Sequence, residues 1–259
     1  SLVDTTDREI PPDWFIREIS EERDTITYWL TDTSLYHQRY LTFAVGYRVR
    51  DSLNNRVWTT DTMELSYVFE EGEKKRRDTV NLKSNIGNNF DLNKSIRFKH
   101  PYPVKSLDTG NFCFYRRIQD TILEEANFSL RRNKQHLNVF HMDVKWKSDA
   151  DYRLQILPQA VQSIYDVYHD TLETNFTTQA KDHYGSLIVN VKGLDTANVI
   201  FRLVRASEEE RLVREKYNKD IKKGKVTFDY LEPQKYYLKL IYDENGNKEW
   251  DTGHYLKHR

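Results

Sequence analysis

The sequence predicts an all-β chain of tandem antiparallel β-sandwiches, and three observations carry that expectation. Most apolar stretches alternate with polar residues at period two, the pattern of a strand with one buried face. Aromatic residues reach 13%, with 17 Tyr and 12 Phe, and such side chains suit pleated sheets. The dipeptide Asp-Thr occurs ten times, where about two copies would be expected by chance at this composition. Most copies stand at the edge of an alternating stretch, where Asp and Thr side chains bond nearby backbone N–H groups and start turns.

A chain of 259 residues has room for two or three small β domains, and three units are read here, at 8–80, 81–180 and 181–259. In the first, strands are expected in Thr25-Ile-Thr-Tyr-Trp-Leu30, in residues 41–50 and in residues 56–69. Asp51-Ser-Leu-Asn-Asn55 is a five-residue turn of the kind that closes a hairpin. The charged run at 70–78 reads as an exposed loop.

The second unit carries strands in 95–104, 111–115, 139–146 and 152–156, with Pro101 and Pro103 confining the first to a strand end or edge. Residues 159–165 suggest one helical turn, and 166–178 are polar and turn-like. The third unit has strands in 184–191, 199–204, 225–231 and 236–242. Between them, 207–224 alone has helix-forming composition, but its scarcity of apolar residues makes it a charged excursion between strands.

Composition excludes several functions. The 40 basic and 40 acidic residues cancel, so no global field draws the chain to nucleic acid or to an anionic membrane. The single Cys113 rules out an intramolecular disulfide, and by alternation it faces away from Phe112 and Phe114. No apolar run is long enough to span a bilayer, and no signal peptide is recognisable.

Residues 95–168 resemble the bacterial Ig-like domains of large Bacteroidetes surface lipoproteins. The likeness lies in Pro103-Val-Lys-Ser-Leu-Asp108, Val144-Lys-Trp146, Asp151-Tyr-Arg-Leu-Gln-Ile156 and Ala160-Val-Gln-Ser-Ile-Tyr-Asp166. Residues 24–32 match the same proteins. Residues 184–255, with a Leu-x-Pro-x-x-Tyr turn at Leu231, Pro233 and Tyr236, resemble their C-terminal part and prealbumin-like or carboxypeptidase-regulatory-like sandwich modules. The resemblance implies a structural or adhesive role at the cell envelope, outside the cytoplasm, in the periplasm or at the cell surface. It implies protein or glycan partners, and a membrane link only through a lipid anchor outside this chain.

The same resemblance brings a modification. Exported proteins of this group carry O-linked glycans on Asp followed by Ser or Thr and then a small aliphatic residue, Met or Thr. Thr5, Thr25, Ser52, Thr62, Thr79, Thr121, Thr171 and Thr196 fit that pattern, whereas Thr33, Thr109 and Thr252 do not. Glycan acceptor and turn former are compatible roles.

For chemistry, the strongest local pattern is Asp243-Glu-Asn-Gly-Asn-Lys-Glu-Trp-Asp251. Asp243, Asn245, Asn247 and Asp251 place oxygen ligands at the spacing of a calcium loop, which makes calcium the one cofactor to consider. Against it, the sixth position is Lys248 where a sharp turn wants Gly, and the twelfth is His254 rather than Glu. The residues favour a hairpin whose Asn245-Gly246 turn joins 236–242 to 250–256. The eight His have no zinc spacing, Glu124 and Glu125 read as a solvated edge, and no nucleophile or phosphate-loop motif is present. The chain is therefore read as non-enzymatic. The five Trp are expected in sandwich cores, with Trp14 and Trp58 the candidates for stacking on a sugar ring and Trp14 the least committed to a core.

Overall fold

The computed structural model describes residues 2–3, 13–20, 24–32, 34–35, 38–66, 79–119, 121–194 and 198–248. It is all-β, as expected, with short 3-10 turns as the only helical elements among the described residues. The chain forms two compact units. One is built from the chain up to Asn88 with Ser95–Lys145 and Tyr152–Phe176, the other from Asn89–Lys94, Trp146–Asp151 and Thr177 onward.

The first unit opens with β1 (Leu2–Val3), β2 (Phe15–Ile19), β3 (Ile26–Leu30), β4 (Tyr40–Arg50) and β5 (Arg56–Ser66). β2 and β3 form a hairpin in register from Phe15↔Leu30 to Ile19↔Ile26. β4 and β5 make a longer ribbon, 11 residues on each strand, paired without a slip from Tyr40↔Ser66 to Arg50↔Arg56. Its turn is the five-residue one the sequence predicts. The Asp51 carboxylate accepts the N–H groups of Leu53 at 2.9 Å and Asn55 at 2.8 Å, and Asn54 takes the left-handed φ of 65° that an Asn tolerates.

The remainder of this region runs through β6 (Thr79–Val80), β7 (Lys83–Ser84), β8 (Asn89–Phe90), β9 (Ile96–Lys99), β10 (Val104–Leu107), β11 (Phe112–Gln119), β12 (Ile122–Glu125), β13 (Phe128–Arg132), β14 (Val139–Val144), β15 (Asp151–Ile156), β16 (Val161–Ser163), β17 (Tyr168–His169) and β18 (Leu172–Thr178). The prolines act as expected, since β9 stops before Pro101 and β10 starts after Pro103.

Three sheets result, in the orders β13-β14-β9-β7, β12-β11-β15-β18-β8 and β10-β16-β17-β6. The β8 pairing, Thr177↔Asn89 and Thr178↔Phe90, falls within the second unit. Alternation does the burying. Ile96 and Phe98 point inward from β9, Phe112 and Phe114 from β11, Phe140 and Met142 from β14, and Tyr152, Leu154 and Ile156 from β15. The first two sheets pack face to face, with the Phe112 and Phe140 rings edge-on at 6.3 Å and Phe114 edge-on to Phe128 at 6.2 Å. Each large apolar side chain buried in this way contributes about 1.5–3 kcal/mol.

Two expectations are corrected here. Residues 159–165 form a turn into β16 rather than a helical turn, and 166–178 hold β17 and β18.

The second unit adds β19 (Gly185–Asn190), β20 (Val199–Arg205), β21 (Leu212–Tyr217), β22 (Lys225–Leu231) and β23 (Tyr236–Tyr242), as sheets β21-β20-β23 and β19-β22. β20 is central in its sheet and buried on both faces, and Val199, Phe201 and Leu203 meet Val226, Phe228 and Leu231 of β22 in one core. The charged excursion of 207–224 proves to carry a strand, β21, paired along β20 from Ile200↔Tyr217 to Val204↔Leu212. Tyr184 fastens an earlier segment to this unit. Its hydroxyl donates to Asp91 Oδ1 at 2.9 Å and accepts Leu92 N–H at 3.1 Å. Burial pushes its pKa up to about 12.

Candidate functional site

Beyond β23 the chain enters a loop of turns at 243–248. Asp243 is anchored by its own N–H, which donates to the Asn198 carbonyl at 2.9 Å. The residue is 7% exposed, and its carboxylate turns into the loop, where Oδ2 accepts Lys248 N–H at 3.0 Å. Oδ1 has no hydrogen-bond partner among the described residues. Asn245 Oδ1 accepts Asn247 N–H at 3.0 Å. Two residues are left-handed, Gly246 at φ 72° and Lys248 at φ 63°. Gly246 takes the left-handed conformation expected of an Asn-Gly turn, whereas Asn245 before it does not. Asp251 and the return strand expected at 250–256 lie outside the described residues. Asp243, Asn245 and Asn247 are brought together on one short loop.

The Asp-Thr sites divide by role. Asp24 accepts the Ser20 hydroxyl at 2.7 Å, which with the neighbouring Thr25 holds its carboxyl below the usual range. Asp32 accepts Ser34 N–H at 3.0 Å, Asp108 accepts Gly110 N–H at 3.0 Å ahead of a 3-10 turn, and Asp170 accepts Thr171 N–H at 2.7 Å. These are turn formers. Asp61-Thr62 is different, lying in the middle of β5 opposite Val45 and Ala44, so it is no punctuation mark. Asp61 instead accepts the Tyr47 hydroxyl across the ribbon. Thr25, Ser52, Thr62, Thr79, Thr121 and Thr171 are all exposed, while Thr5 and Thr196 lie outside the described residues.

The two sugar-stacking candidates part company. Trp14 is 8% exposed, with ring neighbours Phe15, Tyr28 and Phe43 at 4.3, 6.5 and 6.0 Å, so the expectation that it stands outside a core is corrected. Its neighbours come from three strands, two of them distant in sequence. Trp58 is 68% exposed, on the face of the ribbon that carries Arg48, Arg50 and Arg56, and Arg48 lies over its ring at 5.3 Å.

The other face of that ribbon is largely apolar, broken by Thr59 and Asp61. Val45, Tyr47, Val49, Val57, Met63 and Leu65 share it and are all exposed. Among the described strands β5 pairs only with β4, and none of them pairs with its other edge. The Asp51 N–H to Asn55 carbonyl bond sets the phase of the ladder. Odd-numbered residues of β5 bond to β4, and even-numbered ones, Thr60 among them, turn their backbone groups outward.

One pair escaped the sequence. His100 and His169 are fully buried, each with an Nε2 that has no hydrogen-bond partner among the described residues. Burial lowers both pKa values, and the nearness of His169 adds to the effect on His100. They sit far apart in sequence at no motif spacing, so only the fold reveals them. Among the described residues no three His, Cys, Asp or Glu side chains are grouped as a metal would require. No helix among them is long and apolar enough to cross a membrane.

The chain matches no protein-family model and no curated protein.

Proposed function

We propose that this chain is a non-catalytic structural or adhesive protein of the bacterial cell envelope, held there by a lipid anchor outside the chain. Its domains in this reading are an N-terminal β unit at 8–80, an Ig-like sandwich at 81–180 and a prealbumin-like sandwich at 181–259. The observation that carries the adhesive role is the β4–β5 ribbon, whose largely apolar face is exposed along most of its length beside an edge strand that no other described strand pairs with. A long edge of this kind is a template for strand addition. The partner that fits is an extended protein segment, apolar at alternate positions to match Val57 and Met63, and acidic on the opposite face where it meets Arg56.

The test uses synthetic ten-residue peptides that alternate Val or Ile with Asp or Glu. They bind the wild-type chain and fail to bind Thr60→Pro, which removes an outward N–H while leaving the pairing with β4 intact. Absence of peptide binding to the wild type overturns the reading. Exposure of six Asp-Thr and Asp-Ser sites supports export with O-glycosylation. The intact mass of host-made protein checks it, and a mass equal to that of the bare chain removes the modification.

A second reading, a glycan-binding module of a polysaccharide-handling system, is favoured by the exposed Trp58 ring beside Arg48. A glycan array separates the two, since binding that is lost in Trp58→Ala and kept in Thr60→Pro selects the glycan.

A further inference from the structure

We infer that the loop at 243–248 is a calcium site, an assignment that stands apart from the adhesive surface of β4 and β5. The starting point is Asp243. Its side chain is more than nine-tenths buried, and one carboxylate oxygen has no partner among the described residues. Burying a carboxylate is unfavourable unless donors or a cation surround it. Among the described residues Lys248 N–H satisfies Oδ2, and Oδ1 has no donor. A hard cation answers that vacancy of charge, and the donors nearest in the loop, Asn245 and Asn247, carry carboxamide oxygens.

The backbone removes the main objection raised by the sequence. Calcium loops of this spacing place Gly at the sixth position because the chain must turn sharply there. Lys248 occupies that position and adopts the turn regardless, at φ 63°, while Gly246 does the same two residues earlier. Residue type alone argues against a sharp turn that the chain nevertheless makes. Asp243 Oδ2 to Lys248 N–H spans the first and sixth positions, and Asn245 Oδ1 to Asn247 N–H spans the third and fifth. Both bonds curl the backbone of the loop around the Asp243 and Asn245 carboxyl and carboxamide groups. An oxygen already accepting one N–H keeps a lone pair for a metal.

Calcium fits better than magnesium. Calcium accepts six to eight oxygens in flexible geometry, whereas magnesium demands a near-ideal octahedron and parts reluctantly with water. One carboxylate and two carboxamides form a weakly charged set, so affinity falls in the range of extracellular modules, with Kd on the order of 10⁻⁴–10⁻³ M.

The experiment is calorimetric titration of the whole chain with calcium chloride after chelator treatment, together with thermal melting in calcium or magnesium. Calcium binds with a 1:1 stoichiometry and raises the melting temperature, and magnesium at equal concentration does so far less. Asp243→Asn abolishes the calcium-dependent shift. Asn247→Ala weakens binding about tenfold; Asn247 is exposed, so the fold survives the change and the test stands even if Asp243→Asn does not fold. Lys248→Gly, which relieves the left-handed lysine and removes a positive charge from the loop, tightens calcium binding. A plain hairpin turn makes a different forecast, namely that Lys248→Gly stabilises equally with and without calcium. That result, absence of heat up to about ten times the upper Kd, or equal shifts from both metals overturns the assignment.

Discussion

The central sandwich and the β4–β5 ribbon are written in the same alternating pattern, yet one hides its apolar residues and the other displays them. Along β9 and β15 every second residue is buried, and the rings of Phe98 and Phe140 stack at 5.0 Å. Along β5 only Thr59 is even partly buried. Alternation thus reports that a strand has two unlike faces. Whether a second sheet covers the apolar one depends on partners far away in sequence. The sandwich has such a sheet, whereas over the ribbon the described contact is limited to its first residues, where Trp14 meets Phe43.

Mutations should read this contrast directly, and the largest effect belongs to the core. Phe98→Ala empties a fully buried site and lowers stability by about 3–5 kcal/mol in urea unfolding, whereas Val57→Ala in the ribbon changes it by less than about 0.5 kcal/mol. Comparable losses from the two would show that the ribbon is covered after all.

Acid supplies the next test. Burial depresses the pKa of both His100 and His169 below the ordinary 6.5. Above that value both histidines are neutral, folded or unfolded, and the fold keeps its full stability. As pH falls below it, the unfolded chain takes up protons first, so stability is lost until the depressed folded values are reached. Urea midpoints should fall between pH 6.5 and 5, less steeply in His169→Gln. A ribbon variant such as Val57→Ala should leave that slope unchanged.

Within the ribbon, Asp51→Ala removes the acceptor for two turn N–H groups and costs about 1 kcal/mol, seen as loss of amide protection along β4 and β5. The smallest effect belongs to Arg48→Ala. It removes an exposed cation–π contact worth about 0.5–1 kcal/mol and shows as a shift in Trp58 fluorescence with little change in melting.

How much was legible follows from the same physics. β22 and β23 match their expected bounds, because turn residues bracket apolar alternation on both sides. β18 escaped because Leu172-Glu-Thr-Asn-Phe-Thr-Thr178 buries only Phe176 and Thr178, too few for a periodic signal. β21 escaped for a related reason: at the edge of its sheet it needs little apolar surface, and its charges find local partners, as when Glu215 meets Arg202 at 2.6 Å. In the candidate site, the oxygen spacing was readable. The left-handed Lys248 was not, since nothing about lysine calls for it, and the burial of Asp243 depends on packing that no local pattern encodes.

Tyr184 has a consequence for how the chain is made. The second unit is not one stretch of polypeptide, because Asp91 and Leu92, held by the Tyr184 hydroxyl, belong to it along with Phe90 and Trp146, whose rings meet at 5.1 Å. During synthesis residues 89–94 leave the ribosome well before Tyr184 exists, and they must wait for it. A gene fragment beginning at Thr177 would encode a protein lacking two of its own pieces. Cutting the chain there would divide this unit, however clean the cut looks in the sequence.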